Sequence, residues 1–497
     1  MAGPRRVSLS FQSSIEQGKA MQLEGVKEVV ASSDQAAGRT GKRALLASVL
    51  VGLFLAAMDS TVVGTLLPAI KAEMQDVTLY PWLLSGFILA SVLATPVVGR
   101  AADVFGQRRT LVAVLGIFLV GSLAVCISSS MTSLVFARAL QGVGAGGVSV
   151  MTYITVGKLY SERERGKMQG MLSMVWGLAA VIGPLVGALV YQKFGWRMVF
   201  ALNIPLSFIA MALVWSIRST DQERGQKAEG GVDARVMALF SVTLASLLIL
   251  ILQPSVGLSP GVSFGLGAAM LIGLGLSVVY LRKWPEKSLL PVEFFTRRDY
   301  VLAALLTVVA SIALYASVTL LPLYLRATLS TSTVSSGLIV MVAALGWVVG
   351  SAICGASLVR TGYKATALLG TILLAAGTGV LALGGGPLPV FAAAQALIGL
   401  GIGFVATTTL VFVQNISPLP RLGAYTSAVH LFRNIGAALG INTVAAIQIF
   451  SFKRLQLSNP GIAYQGSFKW SFIALFAAAA AAVVAALWMP RRVSRTA

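Results

Sequence analysis

The chain has 497 residues, of which 57% are hydrophobic and 11% are charged, and its mean hydropathy is +0.84. Soluble globular proteins carry roughly 25% charged residues, so this composition excludes a soluble enzyme and indicates a polytopic membrane protein. The formal net charge of +21 is assigned to membrane topology, because the sequence offers no soluble module with a basic face for nucleic acid. Cys126 and Cys354 lie in apolar runs and support neither a disulfide framework nor a metal site.

Residues 1–43 are polar and lack the apolar core of a signal peptide, so we expect a cytoplasmic N-terminal tail. About fourteen apolar runs follow, each long enough to cross a bilayer as a helix. They lie at approximately 44–70, 79–101, 110–128, 131–157, 167–191, 198–217, 236–252, 262–281, 301–325, 333–358, 366–384, 388–413, 423–450 and 468–489. Residues 490–497 are expected to form a second cytoplasmic tail.

The first apolar run contains a single charge, Asp59. An aspartate at the centre of a membrane helix costs about 2.5 to 3.5 kcal/mol on translocon scales, so its presence indicates a function. A carboxylate in a low-dielectric cavity can hold a proton at neutral pH and lose it on meeting water or a cation from the other side. The alternative is an aspartate bonded to neighbouring backbone or permanently paired with Arg138.

The distribution of basic residues supports this count of spans. If both ends are inside, cytoplasmic segments hold about four times as many Lys and Arg residues as outer loops, as the positive-inside rule requires. Arg138 and Arg433 belong to neither the cytoplasmic segments nor the outer loops, because both fall within predicted helices.

The chain also repeats itself at offsets of roughly 254 to 257 residues. Residues 65–68 return as 319–322, residues 137–147 return as 394–404, and Gly99 with Gly106 returns as Gly355 with Gly362. Two parallel six-helix halves are predicted, with a two-helix insertion between them, which is a transporter architecture. The predicted units are a bundle at 44–217, an insertion with linkers at 218–300 and a bundle at 301–489.

Several stretches resemble, in order and spacing, the signature motifs of the major facilitator superfamily, and more narrowly its fourteen-helix drug:proton antiporter branch. They are residues 58–68, 99–109, Arg138 with 141–144, 183–187, 195–197 and 203–205. The resemblance implies an all-α polytopic membrane protein with the major facilitator fold and 14 transmembrane helices, arranged as six, two inserted and six. Gly64, Gln107 and Ala188 depart from the pattern of that branch and leave the substrate open.

The segment between the second and third spans is the candidate cytoplasmic gate. Gly99 and Gly106 permit a tight turn, and Asp103 can face an adjacent helix N-terminus or pair with Arg108 or Arg109. The resemblance implies that such contacts hold the two halves closed on the cytoplasmic side. Ordinary loop charge is the alternative.

The fifth span is the candidate hinge. Gly177, Gly183 and Gly187 allow close approach of backbones and Pro184 bends the helix, which suits a sliding interface between halves. Packing without a role in switching is the alternative. The glycines of 142–147 lie in a membrane helix with no following Lys-Ser/Thr, so they are not a phosphate-binding loop.

The resemblance implies that Arg138 works with Asp59 in proton coupling, lowering its proton affinity in one state and releasing it in another. A static structural arginine is the alternative. In the repeat, Asp59 falls opposite Ala313 and Arg138 opposite Gln395, and no acidic residue follows Asp299. Carboxylate chemistry is therefore confined to the first half.

The substrate cavity is predicted from polar and aromatic residues in the spans. The candidates are Trp82, Gln141, Tyr153, Trp176, Tyr315, Trp347, Gln395 and Arg433. Lipid-facing or interfacial positions explain any one of the aromatic residues equally well. His430 and Arg433 lie three residues apart on one helix face, and we expect them to snorkel to the nearby cytoplasmic surface.

The sequence thus predicts a proton-coupled antiporter, not an enzyme, that exports lipophilic monocationic or neutral amphiphiles by alternating access, because Asp59 offers one anionic partner. We expect a monomer in a bacterial inner membrane. Its expected partners are protons, lipid and a small molecule, with no nucleic acid and no metal, and the proton gradient takes the place of a cofactor. Two alternatives stay open: an exporter of an anionic or lipid-like molecule that uses Arg138 and Arg433, and a non-transporting membrane sensor.

Overall fold

The computed structural model describes residues 41–63, 66–67, 69–74, 79, 82–216, 233–256, 259–284, 288–458 and 463–492. All regular structure in these residues is helical, as expected for a chain of apolar spans. The predicted tails, the linker at 217–232, and Gly64, Thr65 and Pro68 lie largely or wholly outside the described residues.

The helices are α1 Gly41–Val63, α2 Trp82–Val104, α3 Gln107–Ile127, α4 Met131–Leu159, α5 Glu162–Phe194, α6 Trp196–Ala201, α7 Asn203–Trp215, α8 Ala234–Val256, α9 Pro260–Lys283, α10 Glu293–Thr296, α11 Arg298–Leu329, α12 Thr333–Thr361, α13 Tyr363–Leu383, α14 Leu388–Ile416, α15 Leu422–Ser458 and α16 Ala463–Ala486. Among the described residues, thirteen helical stretches are long and apolar enough to cross a membrane, with α6 and α7 counted together. A shorter apolar helix, Arg235–Leu250 within α8, accompanies them. The chain is therefore a multi-pass membrane protein.

The first bundle is organised around α4, which packs against both α2 and α3. Glycines make this possible, because any side chain there would collide with a neighbouring helix. A Cβ at Gly142 would meet the backbone of Phe87, and one at Gly144 would lie within 2.6 Å of Phe118 atoms. In the second bundle, α14 packs in the same way against α12 and α13.

The α2–α3 and α12–α13 turns share one geometry. Gly106 has φ of 89° and Gly362 has φ of 83°, a region that favours glycine, and each directly precedes the next helix. These are the two glycines that the sequence repeat pairs.

The most extensive contacts between the bundles are those of α2 with α15 and of α5 with α12, and smaller ones join α4 to α15 and α5 to α14. Small residues face each other across the α5–α12 contact, where Gly166 touches Gly355 and Gly170 lies against Ala352. Helices with small residues at the crossing approach closely without interlocking side chains, so the bundles can shift against each other.

The inserted helices α8 and α9 pack on one another, and α8 also touches α2 and α15. Leu244 and Leu248 of α8 join Val92 of α2 and Leu431 of α15 in one apolar cluster. The described part of α9 is covered with exposed apolar side chains, as expected of a lipid-facing helix. Thus α8 lies along the seam between the bundles and α9 lies outside it.

Two boundaries differ from the sequence prediction. The sixth span is broken into α6 and α7, because Pro205 lacks the N–H that would bond to the carbonyl of Ala201. Helix α15, which contains the thirteenth predicted span, runs on to Ser458, so Lys453 and Arg454 lie within a helix rather than in an outer loop.

Candidate functional site

The centre of the first bundle contains a buried ion pair. Arg138 of α4 donates from Nη1 to Oδ2 of Asp59 of α1 at 2.6 Å, and the two side chains are 2% and 1% exposed. The same nitrogen donates to Oε1 of Gln141 at 2.6 Å. Since Gln141 lies one turn beyond Arg138, α4 presents both side chains to α1 on one face.

The other oxygen of Asp59 is also engaged. Gln141 donates from Nε2 to Oδ1 at 2.9 Å, and Asn203 donates from Nδ2 to Oδ1 at 3.1 Å. Ser122 of α3 accepts a second bond from Gln141 at 2.9 Å. The carboxylate therefore accepts hydrogen bonds from three different residues, Arg138, Gln141 and Asn203.

Asn203 and Ser122 were not among the predicted site residues. Asn203 begins α7 where the sixth span breaks, so the break at Pro205 places its amide next to Asp59. A buried amide in an otherwise apolar span was the sequence signal that could have identified it. Gln141, predicted to line the substrate cavity, instead belongs to this network.

Two aromatic rings enclose the arginine. The Arg138 guanidinium carbon lies 4.1 Å from the Phe87 ring centre and 5.4 Å from that of Phe200. Its Nε and Nη2 make no hydrogen bond to the described residues. Arg138 lines a narrow apolar crevice together with Val63, Ile70, Leu83, Leu134 and Phe200.

The predicted cytoplasmic face is closed at the α2–α15 contact. The buried Asp103 carboxylate accepts backbone N–H bonds from Gly423 at 2.9 Å and Ala424 at 2.8 Å, in the first turn of α15. Lys158 of α4 donates to it at 3.0 Å. The carboxylate satisfies two amides that have no partner within their own helix and interacts favourably with the positive end of the helix dipole.

The other gate residues have different positions. Gly99 approaches Ser427 and Gly423 so closely that no side chain fits there. The predicted pairing of Asp103 with Arg108 or Arg109 is wrong, because Arg108 donates to the carbonyl of Trp215 at 3.2 Å and Arg109 is exposed. Both arginines follow Gly106, whose turn directs α3 away from the α15 N-terminus.

A second set of bonds closes the same face. Arg165 of α5 donates from Nη1 to the carbonyl of Gln414 at 2.9 Å and to Oδ1 of Asn415 at 2.5 Å, at the end of α14. Gln414 donates in return to the carbonyl of Tyr153 of α4 at 3.1 Å. Sequence analysis had counted Arg165 only as a loop charge.

The predicted hinge residues of α5 divide between two neighbours. Gly177 faces Val348 of α12, across the bundle contact. Gly183 faces Thr61 and Met58 of α1, inside the first bundle, and Gly187 is buried. The helix continues without interruption through Pro184.

Five of the predicted aromatic and basic residues come together where α4 meets α15. The Tyr153 ring lies 4.1 Å from that of His430, and the Arg433 guanidinium carbon lies 5.8 Å from the Trp347 ring centre. Tyr315 and Trp347 pack on the apolar cluster that contains Tyr153. His430 and Arg433 are only 8% and 7% exposed, so the prediction that they snorkel to the surface is wrong.

The remaining cavity candidates lie elsewhere. Trp82 begins α2 and is half-buried, and Trp176 packs on the cluster of Ala57, Met58 and Ala179. Gln395 is buried in the second bundle, where its Oε1 accepts a bond from Ser317 at 3.3 Å. It occupies the repeat position of Arg138 with no charge and no acidic partner.

Two six-helix bundles that meet along a shared seam, with a charged pair buried in the first, define a membrane transporter. The chain belongs to the Major Facilitator Superfamily, whose family model matches residues 49–441. It is thus a transporter of small molecules rather than an enzyme.

Relatives agree with this assignment. The chain is 28% identical over 422 residues to the multidrug transporter protein MdtP of Bacillus subtilis (strain 168), covering 82% of this chain and 76% of that protein. It is 30% identical over 436 residues to the MFS-type transporter ppz2 of Metarhizium majus (strain ARSEF 297), covering 84% and 74%. The structure of the proton:xylose symporter XylE bound to 6-bromo-6-deoxy-D-glucose has a TM-score of 0.64 at 12% identity, covering 89% of this chain and 94% of XylE, which shows the shared fold.

Proposed function

We propose that the protein is a proton-coupled antiporter that exports amphiphilic small molecules across a bacterial cytoplasmic membrane, with both termini inside. The observation that carries this proposal is the buried Asp59–Arg138 pair, a titratable carboxylate inside the hydrocarbon region with a cation 2.6 Å away. Relatives that are named efflux pumps support export as the direction. No cofactor is part of the proposal, since the proton gradient supplies the energy.

The network has two charge states with different geometry. With Asp59 ionised, its carboxylate holds Arg138, Gln141 and Asn203 together. A proton on Asp59 removes the charge that attracts Arg138 and so weakens the contact between the two side chains. Protonation therefore loosens the contact of α1 with α4.

Helix α4 links this network to the seam between the bundles. It carries Arg138 and Gln141 inside the first bundle, and Tyr153 and Lys158 at contacts with α15 and Asp103. A shift of α4 upon protonation of Asp59 would thus change the contacts that close the predicted cytoplasmic face. This is the two-state element that coupling between proton and substrate requires.

The expected monocationic substrate rested on Asp59 as an anionic partner for the cargo. In this state the carboxylate is neutralised by Arg138 and fully bonded, so it offers no free charge to a cation. Asp59 in this state therefore does not determine the charge of the substrate.

The coupling proposal is tested in proteoliposomes under an imposed pH gradient. Three permanently charged or neutral probes on one scaffold are offered: naphthalenesulfonate, naphthalenesulfonamide and naphthylmethyl-trimethylammonium. Wild-type protein should accumulate at least one probe uphill, and Asp59→Asn should reduce gradient-driven accumulation at least tenfold while retaining downhill exchange. Asp299→Asn, at the start of α11, is the matched control and should behave as wild type.

Uphill accumulation by Asp59→Asn would remove Asp59 as the coupling group. Absence of any flux with all three probes, from a protein that binds them, would favour the sensor alternative.

A further inference from the structure

The second bundle contains a buried cation that no anion balances. Arg433 of α15 is 7% exposed, and its Nε and Nη2 make no hydrogen bond to the described residues. The ion pairs found among those residues are Arg138–Asp59, Lys158–Asp103 and Arg197–Glu73, none of which includes it. No acidic residue follows Asp299 in the sequence, so the second bundle has no internal carboxylate that could pair with it.

The depth of Arg433 along α15 makes the absence of an anionic partner among the described residues unusual. Arg433 lies eleven residues after the start of α15, or roughly 16 Å along the helix at about 1.5 Å per residue. The hydrocarbon core of a bilayer is about 30 Å thick, so this position is near the middle. A guanidinium at that depth, without a partner, is costly and marks a functional site in membrane proteins.

The two unpartnered nitrogens are those of one edge of the guanidinium. Nε–H and Nη2–H point in the same direction and match the two oxygens of a carboxylate or sulfonate, the bidentate arrangement in which arginine binds anions best. Arg138 differs in this respect, since Asp59 already balances its charge. Arg433 therefore keeps one donor edge of its guanidinium without a hydrogen-bond partner among the described residues.

The surroundings fit the rest of an amphiphile. Trp347 lies 5.8 Å from the guanidinium carbon, and Tyr315 packs on the same apolar cluster as Trp347. One turn earlier, His430 is 8% exposed with its Nε2 unpartnered among the described residues, and its ring stacks on Tyr153 of the first bundle. Donors and aromatic faces from both bundles thus converge, as binding pockets require.

We propose that Arg433 binds the anionic group of the transported molecule, so that the substrate class is aromatic or lipophilic monoanions rather than monocations. This inference rests on the proposed export function for its physiological meaning, but the binding itself needs no proton gradient. His430 supplies a further polar contact, and Trp347 and Tyr315 hold the apolar body of the substrate.

The test is binding of the three naphthalene probes to purified full-length protein in nanodiscs, measured by titration calorimetry. Naphthalenesulfonate should bind at least tenfold more tightly than the neutral sulfonamide or the trimethylammonium probe. Arg433→Gln should lower the affinity for the sulfonate at least tenfold and leave that for the sulfonamide within twofold. Arg326→Gln, an exposed arginine at the end of α11, is the matched control and should change neither.

Folding is checked on the same samples. If Arg433 serves a ligand, removing its unpaired charge in Arg433→Gln should preserve or raise the melting temperature without ligand. A structural role through Trp347 predicts a lower melting temperature and equal losses for all probes, and that pattern would overturn the proposal. Tighter binding of the cationic probe would also overturn the proposal and restore a monocation as the expected substrate.

Binding of the sulfonate without uphill transport would support this site and contradict proton coupling. Uphill transport of a cation, abolished in Asp59→Asn, would support proton coupling and contradict the anion site at Arg433. The two proposals are therefore tested separately.

Discussion

Asp103 of α2 caps the N-terminus of α15 in the opposite bundle through the Gly423 amide, at 2.9 Å. This bond and that to Ala424 join the two bundles at the predicted cytoplasmic face through one carboxylate. Lys158, 8% exposed, balances the charge from the first bundle.

We predict that Asp103→Asn destabilises the closed state. The variant leaves Lys158 buried without an anion, and removal of one partner of a buried pair costs about 3–5 kcal/mol. The melting temperature in detergent should fall, and a cysteine placed at Ser427, buried at the same contact, should become reactive to a water-soluble maleimide. Lys158→Met added to Asp103→Asn should recover part of the lost stability. An additive double variant would show that the two side chains are not coupled.

The α5–α12 contact gives a second prediction. A Cβ at Gly355 would lie 2.6 Å from the carbonyl carbon of Gly166, closer than side-chain atoms approach backbone. Gly355→Ala should therefore separate α5 from α12 and reduce transport at least tenfold. Gly337→Ala, on the same helix with open space around it, is the control and should leave transport within twofold. Equal rates for the two variants would mean that close approach at Gly166 is not needed in the cycle.

The predicted outer face has its own ion pair, which gives a pH prediction. Hydrogen bonds from Arg197 and then from Trp196 lower the pKa of Glu73 from its usual value of 4.5. A carboxyl with a depressed pKa in the folded state stabilises the protein above pH 4.5, and this contribution is lost as the pH falls below that value.

Glu73→Gln should consequently be slightly less stable than wild type at pH 7, by no more than about 1 kcal/mol because the pair is exposed. The difference should disappear in melting experiments as the pH approaches the lowered pKa. A difference that persists unchanged at low pH would assign the effect to the lost shape of the side chain rather than to its charge.

The sequence alone identified the fold and the charged residues, for a simple physical reason. Asp59, Arg138 and Asp103 stand out because each is a charge within or beside an apolar span, where its cost is high. Gly106 and Gly362 were recognisable as a pair because both turns need positive φ. Family motifs then fixed the architecture.

The partners of those charges were not predictable in the same way. Lys158 was read as a loop charge and Asn203 as part of a motif without a role, because which side chains meet depends on how α4 and α7 are rotated against α1 and α2. Arg433 was assigned to the surface because the sequence does not show that α15 packs against α4 and α12 at this position. The periodicity of apolar residues indicates which face of a helix is buried, but not which helix packs against that face.

The last prediction concerns Asn203, the donor that sequence analysis missed. Asn203→Ala removes one of three donors to the Asp59 carboxylate while leaving Arg138 and Gln141 in place. We expect gradient-driven transport in proteoliposomes to fall about three- to tenfold, since a hydrogen bond to a charged group contributes about 1.5–3 kcal/mol and the remaining donors compensate in part. Asn442→Ala is the matched control, because Asn442 donates only within its own helix, to the Ala438 carbonyl at 2.8 Å. Both variants should fold and insert normally by size-exclusion profile. If Asn203→Ala transports at the wild-type rate, Asp59 is held by Arg138 and Gln141 alone, and the break between α6 and α7 has no part in coupling.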